Sequence, residues 1–215
     1  MYVMEIVELT EKNFAQSVAH AAEVLSKGGV VLYPTDTLYG LGADAFSDSA
    51  FQRVCMIKDR DERRPIHAVF ADLAMASTYA EVTPMGEKLA STFLPGPLTL
   101  VFKKKPPYTT GIGHNLPSIG VRIPKHEFCL ALAGAFGKPY TTTSANRSGA
   151  EPLATLAEVI DQLGDKTAYI DLAIDGGPVS PYLRSTVVDV REREPHILRE
   201  GAILSEDIIK TVRAA

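Results

Sequence analysis

Val30-Val31-Leu32-Tyr33-Pro34-Thr35-Asp36-Thr37-Leu38-Tyr39-Gly40-Leu41-Gly42 decides the fold class. Its first four residues are apolar and rich in β-branching, too few for a helix, and predict a buried strand. Pro34 has no N–H to give to a ladder and stops that strand. Two threonines and an aspartate follow. Small polar groups at a strand end stand where open α/β sheets bind ligands. Gly40 and Gly42 let the backbone turn sharply or approach something closely. Taken alone, the stretch reads as well as an ordinary polar exit from a strand.

Outward from this stretch, helices and strands interleave. Residues 3–9 predict a strand. Thr10 predicts a helix cap, with Phe14, Val18, Ala21, Ala22 and Leu25 on one face and Gly28 at the end. Asp48 is the expected cap of a second helix, with Phe51, Val54 and Cys55 facing inward. That helix runs out into the charged loop Lys58-Asp59-Arg60-Asp61-Glu62-Arg63-Arg64-Pro65. A strand from Ile66 to Phe70 follows. Thr83-Pro84 gives a cap and a proline at the first helical position, and Leu94-Pro95-Gly96-Pro97 closes that helix as a rigid turn. Strands over 98–102 and 119–123, a helix over 127–136 and a strand from Pro139 to Thr143 lead to the loop Ser144-Ala145-Asn146-Arg147-Ser148-Gly149. Thr155 and Glu158 form a capping box for a helix ending at Gly164. Strands near 168–174, 185–190 and 196–199 precede a last helix from Ser205, with Glu206 and Asp207 in its first turn. The fold class is α/β with a mixed sheet.

At 215 residues the chain is most simply one domain, 1–215, with two small domains as the alternative. A chain of this size buries about 70% of its unfolded surface and needs no staples. Its two cysteines, Cys55 and Cys129, are far apart, form no metal spacing and fit a reduced, cytoplasmic setting. Cys55 reads as packing rather than as a nucleophile. The N-terminus lacks the basic and apolar regions of a signal peptide. No stretch approaches about 18 apolar residues, so no membrane partner is expected. The formal net charge of −4 argues against nucleic-acid binding over the whole surface. Lys103-Lys104-Lys105 is a candidate basic groove, though a solvated strand end is the preferred reading.

No phosphate-loop or dinucleotide-binding glycine motif is present. No H-E-x-x-H and no Cys/His cluster suggests zinc, and no G-x-S-x-G suggests a hydrolase. No metal-ligand set is expected. The five histidines are scattered. What remains is a set of loops with small hydroxyls and cations. Lys58, Arg60 and Arg64 suit a polyphosphate, lysine as a mobile point charge and arginine as a planar fork. A solvated charged loop is the competing reading. Thr141-Thr142-Thr143-Ser144-x-Asn146 offers hydroxyl and amide groups that grip a substrate without charge. Ser185-Thr186 and Arg199 add a hydroxyl pair and another cation.

In their order, these segments resemble the YrdC-like threonylcarbamoyl-AMP synthases. The resemblance rests on Pro34-Thr35-Asp36-Thr37-x-Tyr39-Gly40-Leu41-Gly42, Lys58-x-Arg60, Leu94-Pro95-Gly96-Pro97-Leu98-Thr99 and Gly120-Val121-Arg122-Ile123-Pro124. It extends through Thr143-Ser144-Ala145-Asn146-x-Ser148-Gly149, Ser185-Thr186-Val187-Val188-Asp189 and Leu198-Arg199-x-Gly201, covering residues 14 to 204. It implies a twisted open sheet with helices on both faces and a large concave ligand-binding surface. It also implies a nucleotidyltransferase that joins L-threonine, bicarbonate or CO2, and ATP into threonylcarbamoyl-AMP, with Mg2+ accompanying the ATP. Downstream threonylcarbamoyl-transfer proteins would then modify adenosine 37 of tRNA. A tRNA contact by the chain itself stays open. By motif, Thr35, Arg122, Thr142 and Ser185 are expected to hold threonine. Lys58, Arg60, Arg64, Ser118, Ser144, Pro152 and Arg199 are expected around ATP. Lys58, Arg60, Ser144 and Asn146 form the catalytic set. Lys58 is expected to follow charge onto the phosphoryl oxygens as a flexible ammonium.

The chain departs from the family pattern in places. Asp61 follows K-x-R where proline is frequent, and Arg64-Pro65-Ile66 replaces a lysine or asparagine before Pro-Leu. Val69 occupies the place of a threonine-binding histidine, and His67 is out of register for that role. Arg184 precedes Ser185 where a small residue is usual. The chain resembles the short form, without an extra C-terminal domain. The competing functions are a double-stranded RNA or tRNA-binding module without synthase activity, an inactive paralogue, and a carbamoyl-transfer domain of a hydrogenase-maturation enzyme. Negative charge and few interleaved aromatics weigh against the first. The presence of K-x-R and S-x-N weighs against the second. The third sits in much longer chains.

Overall fold

The computed structural model describes residues 4–61, 65–114, 116–180 and 184–214. In chain order its elements begin with β1 (Glu5–Glu8), α1 (Phe14–Ser26), β2 (Val31–Tyr33), β3 (Gly40–Gly42), α2 (Asp48–Lys58) and β4 (His67–Val69). Next come α3 (Leu73–Tyr79), β5 (Ala80–Glu81), α4 (Pro84–Phe93), β6 (Leu98–Lys104), β7 (Ser118–Arg122) and α5 (Glu127–Phe136). The chain continues through β8 (Tyr140–Ser144), α6 (Leu156–Leu163), β9 (Leu172–Asp175), β10 (Thr186–Asp189), β11 (His196–Arg199) and α7 (Ser205–Arg213).

The strands form one mixed sheet in the order β1-β9-β2-β3-β8-β4-β7-β6-β10-β11, with β5 alongside β6. Strand alternation sends successive side chains to opposite faces, and both faces are covered. Val31, Tyr33, Val69, Tyr140, Leu172 and Ile174 meet α1 and α5 on one face, through Val18, Leu25, Phe128 and Leu132. Leu32, Leu41, Ala68, Leu100 and Ala173 face the larger core that takes in α2, α4 and α6, through Phe51, Val54, Leu89 and Val159. Each such large side chain contributes about 1.5–3 kcal/mol when fully buried. Cys55 and Cys129 lie inside these two layers, one in each, as free thiols.

Local chemistry places most helix ends. The Thr83 hydroxyl accepts from Gly86 N with Pro84 following, and Thr155 and Glu158 make both arms of a capping box. Three expectations need correction. Ser47, not Asp48, caps α2, and its hydroxyl accepts from Ala50 N; Asp48 sits in the first turn, where its carboxylate faces the helix dipole. Asn13, not Thr10, precedes α1, the two locked in a turn in which Thr10 N donates to Asn13 Oδ1 (2.8 Å). Of the two readings of Gly40 and Gly42, the turn fails and the close approach holds: they form β3, antiparallel to β2 and β8. A side chain at Gly42 would meet the Tyr33 ring at 2.9 Å and the Tyr140 ring at 3.1 Å, so the glycines make room for aromatic rings from both neighbours. Two elements, α3 and β5, went unanticipated, and β9 starts late because a 3-10 helix fills Gly164–Tyr169.

Candidate functional site

Burying a polar side chain is costly unless it is bonded or used. Thr35, Thr37, Lys58, Arg122, Thr142, Asn146 and Ser185 are all under 9% exposed, and all line one cavity of about 440 Å³. Arg60, His67, Thr143, Ser144, Ser148, Glu151, Arg184 and Arg199 add to its polar wall. The sheet order explains the convergence. β8 lies between β3 and β4, so Thr142 pairs with His67 and Ser144 with Gly40. β7 carries Arg122 at its end beside Val69, and Thr99 of β6 lies opposite Arg122. β10 runs beside β6, so Ser185 Oγ comes within 3.1 Å of Thr99 Oγ1.

One end of the cavity is neutral and rich in hydroxyls. Thr35 Oγ1 accepts from Thr37 N and Leu38 N (both 3.1 Å) and donates to Leu38 O (2.7 Å), which folds the stretch after Pro34 into a tight turn. The turn presents Asp36 and Thr37 to Arg122. One terminal nitrogen of that guanidinium lies 2.5 Å from Asp36 Oδ1 and 2.7 Å from Thr37 Oγ1. Lys125 N donates to the other Asp36 oxygen at 3.1 Å. Arg122 Nε is buried without a hydrogen-bond partner. The side chains of Arg122 and Asp36 are each 9% exposed and of opposite charge, so the pair brings little net charge to this end.

The other end is cationic. Lys58 ends α2 and is 2% exposed. Its Nζ donates to Ser144 O, to Asn146 O (2.7 Å) and to Asn146 Oδ1 (3.3 Å), and its carbonyl accepts from Ser148 N (2.9 Å). Asn146 Oδ1 also accepts from Ser144 Oγ (2.5 Å), while its amide donates to Arg147 O and Ala150 O. Lys58 and Asn146 therefore tie the Ser144–Ala150 loop to α2. The expectation of a mobile ammonium is corrected: the Lys58 side chain is enclosed and held by three oxygens. Burial, then Arg60 and Arg184, lowers its pKa to about 7. Arg60 reaches Pro65 O (2.9 Å), and Arg199 holds Ser185 O (2.9 Å) and Ser185 Oγ (3.1 Å). Burial, then Arg184 and Arg122, lowers the Arg199 pKa.

The expected residues Thr35, Lys58, Arg60, Arg122, Thr142, Ser144, Asn146, Ser185 and Arg199 thus share one cavity. Arg64 lies outside the described residues. Ser118 opens β7, roughly 13 Å along the strand from Arg122, and neither it nor Pro152 is among the lining residues. Sequence reasoning passed over Asp36, Thr37, Arg184 and His67. His67 was set aside because its register is two residues from that of the usual histidine. Positions two apart on a strand share a face, a signal that could have kept it. His67 lies against Gly120, where a Cβ would come within 2.4 Å of its ring. Burial, then Arg199, Arg122 and Arg60, pushes its imidazole down to about 3, so it faces the cavity neutral. Among the described residues no group of three His, Cys, Asp or Glu side chains could hold a metal ion.

The Sua5, YciO and YrdC family, described as "Telomere recombination", matches residues 23–201. A relative from Pyrococcus abyssi, named threonylcarbamoyl-AMP synthase, is 34% identical over 208 residues, covering 96% of this chain and 60% of its own. This chain thus spans less than two thirds of that relative's length. The structure of P. abyssi Sua5 complexed with L-threonine superposes with a TM-score of 0.86 at 32% identity, over 98% of this chain and 61% of that one. Escherichia coli YciO superposes with a TM-score of 0.80 at 28% identity, over 94% and 97%. With the ordered motifs, the mixed sheet and most of the chain matched, this chain belongs to the Sua5, YciO and YrdC family.

Proposed function

We propose that this protein is an L-threonylcarbamoyladenylate synthase, a nucleotidyltransferase acting on L-threonine, bicarbonate or CO2, and ATP. The observation that carries the reading is the division of one cavity into a neutral, hydroxyl-rich end and a cationic end. An amino acid suits the first and a polyphosphate the second. The P. abyssi relative named for this activity, and the P. abyssi Sua5 structure with L-threonine, support it.

In this reading Thr142 and Ser185 hold the substrate hydroxyl, Thr35 shapes the wall beside it because its own hydroxyl is used up in the turn, and Arg122 faces the substrate carboxylate with the guanidinium edge that Asp36 leaves open. Threonine's amine adds to CO2 and loses a proton, giving a carbamate. A carbamate oxygen bonds to the α-phosphorus, the bond from that phosphorus to the α,β-bridging oxygen breaks, and pyrophosphate leaves with the electrons. Charge grows on the phosphoryl oxygens, which Arg60 and Arg199 stabilise, while Lys58 and Asn146 hold the Ser144 loop against them. Catalysis is then largely positioning, and a nucleophilic side chain has no part in it. Mg2+ accompanying the ATP would supply charge neutralisation at the phosphate oxygens; among the described residues no carboxylate cluster is placed to hold it. Arg64 is proposed as a further phosphate contact. For Ser118 and Pro152 to touch the nucleotide, it must extend beyond the cavity. Downstream proteins would transfer the threonylcarbamoyl group to adenosine 37 of tRNA. No helix among the described residues is long and apolar enough to cross a membrane, and a cytoplasmic site of action accords with that.

Mass spectrometry of the product made from ATP, bicarbonate and each of threonine, serine and valine tests the reading. A site that bonds a hydroxyl rejects analogues lacking it strongly, whereas a lost methyl costs about 1–3 kcal/mol. Threonine should be used best, serine second and valine hardly at all. Equal use of valine and threonine, or no adenylate, would overturn the assignment.

A further inference from the structure

Arg184 is the cavity's least committed cation. It lies just before Ser185 on the cavity rim, and its side chain is 50% exposed. Its backbone is fixed, because Arg184 O accepts from Ala202 N at 2.9 Å. Its guanidinium approaches Glu151 at 4.0 Å, and Glu151 is 90% exposed. A contact this long between two exposed groups is worth little and is easily given up. Glu151 is also the sole carboxylate residue among the described lining residues, set against Lys58, Arg60, Arg122, Arg184 and Arg199. Asp36 already compensates Arg122. Arg184 itself is met only at long range by this solvated acid, and a multivalent anion would balance it far better than Glu151 does.

We propose that Arg184 is a polyphosphate clamp that exchanges Glu151 for the pyrophosphate portion of the nucleotide and holds it across the cavity mouth. The proposal rests on the polyphosphate reading of the cationic end given above. A planar guanidinium on a fixed backbone suits this task, since it meets two phosphate oxygens at once. The charges are already coupled: Arg184 contributes to the lowered pKa of both Lys58 and Arg199. An anion seated among them relieves that repulsion. Glu151 then acts as a placeholder that leaves when the anion arrives, so removing each partner has opposite effects.

The test is calorimetric titration of the full chain with inorganic pyrophosphate. Arg184→Ala should weaken binding about tenfold, the loss of one charge-assisted contact, and Glu151→Gln should strengthen it. Both residues are largely solvated, so neither change threatens folding, and thermal melts of the two variants verify this. Unchanged affinity in Arg184→Ala, with wild type binding pyrophosphate, overturns the clamp and leaves the proposed function standing. Failure of the wild type to bind pyrophosphate removes the polyphosphate reading of the cavity and the clamp together. A Glu151→Gln variant that binds more weakly than wild type also overturns the exchange, because it would make Glu151 a supporting residue rather than a competitor.

Discussion

Lys58 and the Asp36–Arg122 pair show what single residues do in this protein. Lys58 is a buried ammonium whose pKa falls to about 7, mainly through lost hydration. An unfolded lysine holds its proton to about pH 10.4. Between about pH 7 and 10 the unfolded state therefore binds more protons than the folded one, and stability from this residue rises with pH across that window. Lys58→Met has no such titration. Denaturant melts at about pH 6 and about pH 9 should show the wild type gaining on the variant at the higher pH; a constant difference would mean Lys58 titrates normally. Arg122 poses the opposite problem. Its removal leaves the Asp36 carboxylate, 9% exposed, without a counter-charge, and breaking one side of such a pair costs about 3–5 kcal/mol. Arg122→Ala should lose stability on that scale, and Asp36→Asn in the same chain should return part of it. Urea melts of the two single variants and the double variant measure the coupling; additive losses would show that the two charges do not depend on each other.

Among elements, legibility followed the range of the cause. The cap at Thr83 and the cap at Thr155 are each written within four consecutive residues, and both stand where they were read. The ends of α5 were likewise readable, from Glu127 to a left-handed Gly137 at φ +74°. β3 was not, because nothing local distinguishes a strand glycine from a turn glycine. Its reason lies in Tyr33 and Tyr140, rings that pack edge to face 5.4 Å apart on either side of Gly42. Gly42→Ala would push its methyl into both. The Tyr33 hydroxyl is anchored to Thr141 O at 3.2 Å, which resists the shift. Overpacking of this kind costs about 1–3 kcal/mol. Urea denaturation should register that loss, and a variant as stable as wild type would show the rings moving freely. His67 is an intermediate case: its strand was read from Ile66 to Phe70 and its face follows from the strand period, but its neighbours Thr142 and Gly120 come from other strands.

The whole molecule carries a net charge of −4, yet Lys58, Arg60, Arg122, Arg184 and Arg199 line one concavity. That gathering was not written in any single segment. Asp36 meets Arg122 across 86 positions, and Lys58 meets Ser144 and Asn146 across 86 and 88. Only the resemblance of the ordered motifs indicated that they would converge, and the strand order β3-β8-β4-β7 supplies the reason. A local positive field on a negative protein attracts anions at short range and loses reach in salt. Raising ionic strength from about 0.1 M to about 1 M shortens screening from about 10 Å to about 3 Å. ATP affinity should fall steadily across that range, as titration calorimetry would show; a salt-independent affinity would place the phosphates away from the cations. The two core sulfurs suggest a way to watch the cavity fill. Cys55 and Cys129 are 3% and 0% exposed, so the folded chain presents no reactive sulfhydryl to a maleimide. Ser148, exposed on the cavity rim, can then become the sole labelling point through Ser148→Cys. A fluorophore there would report nucleotide entry in real time, against a silent background.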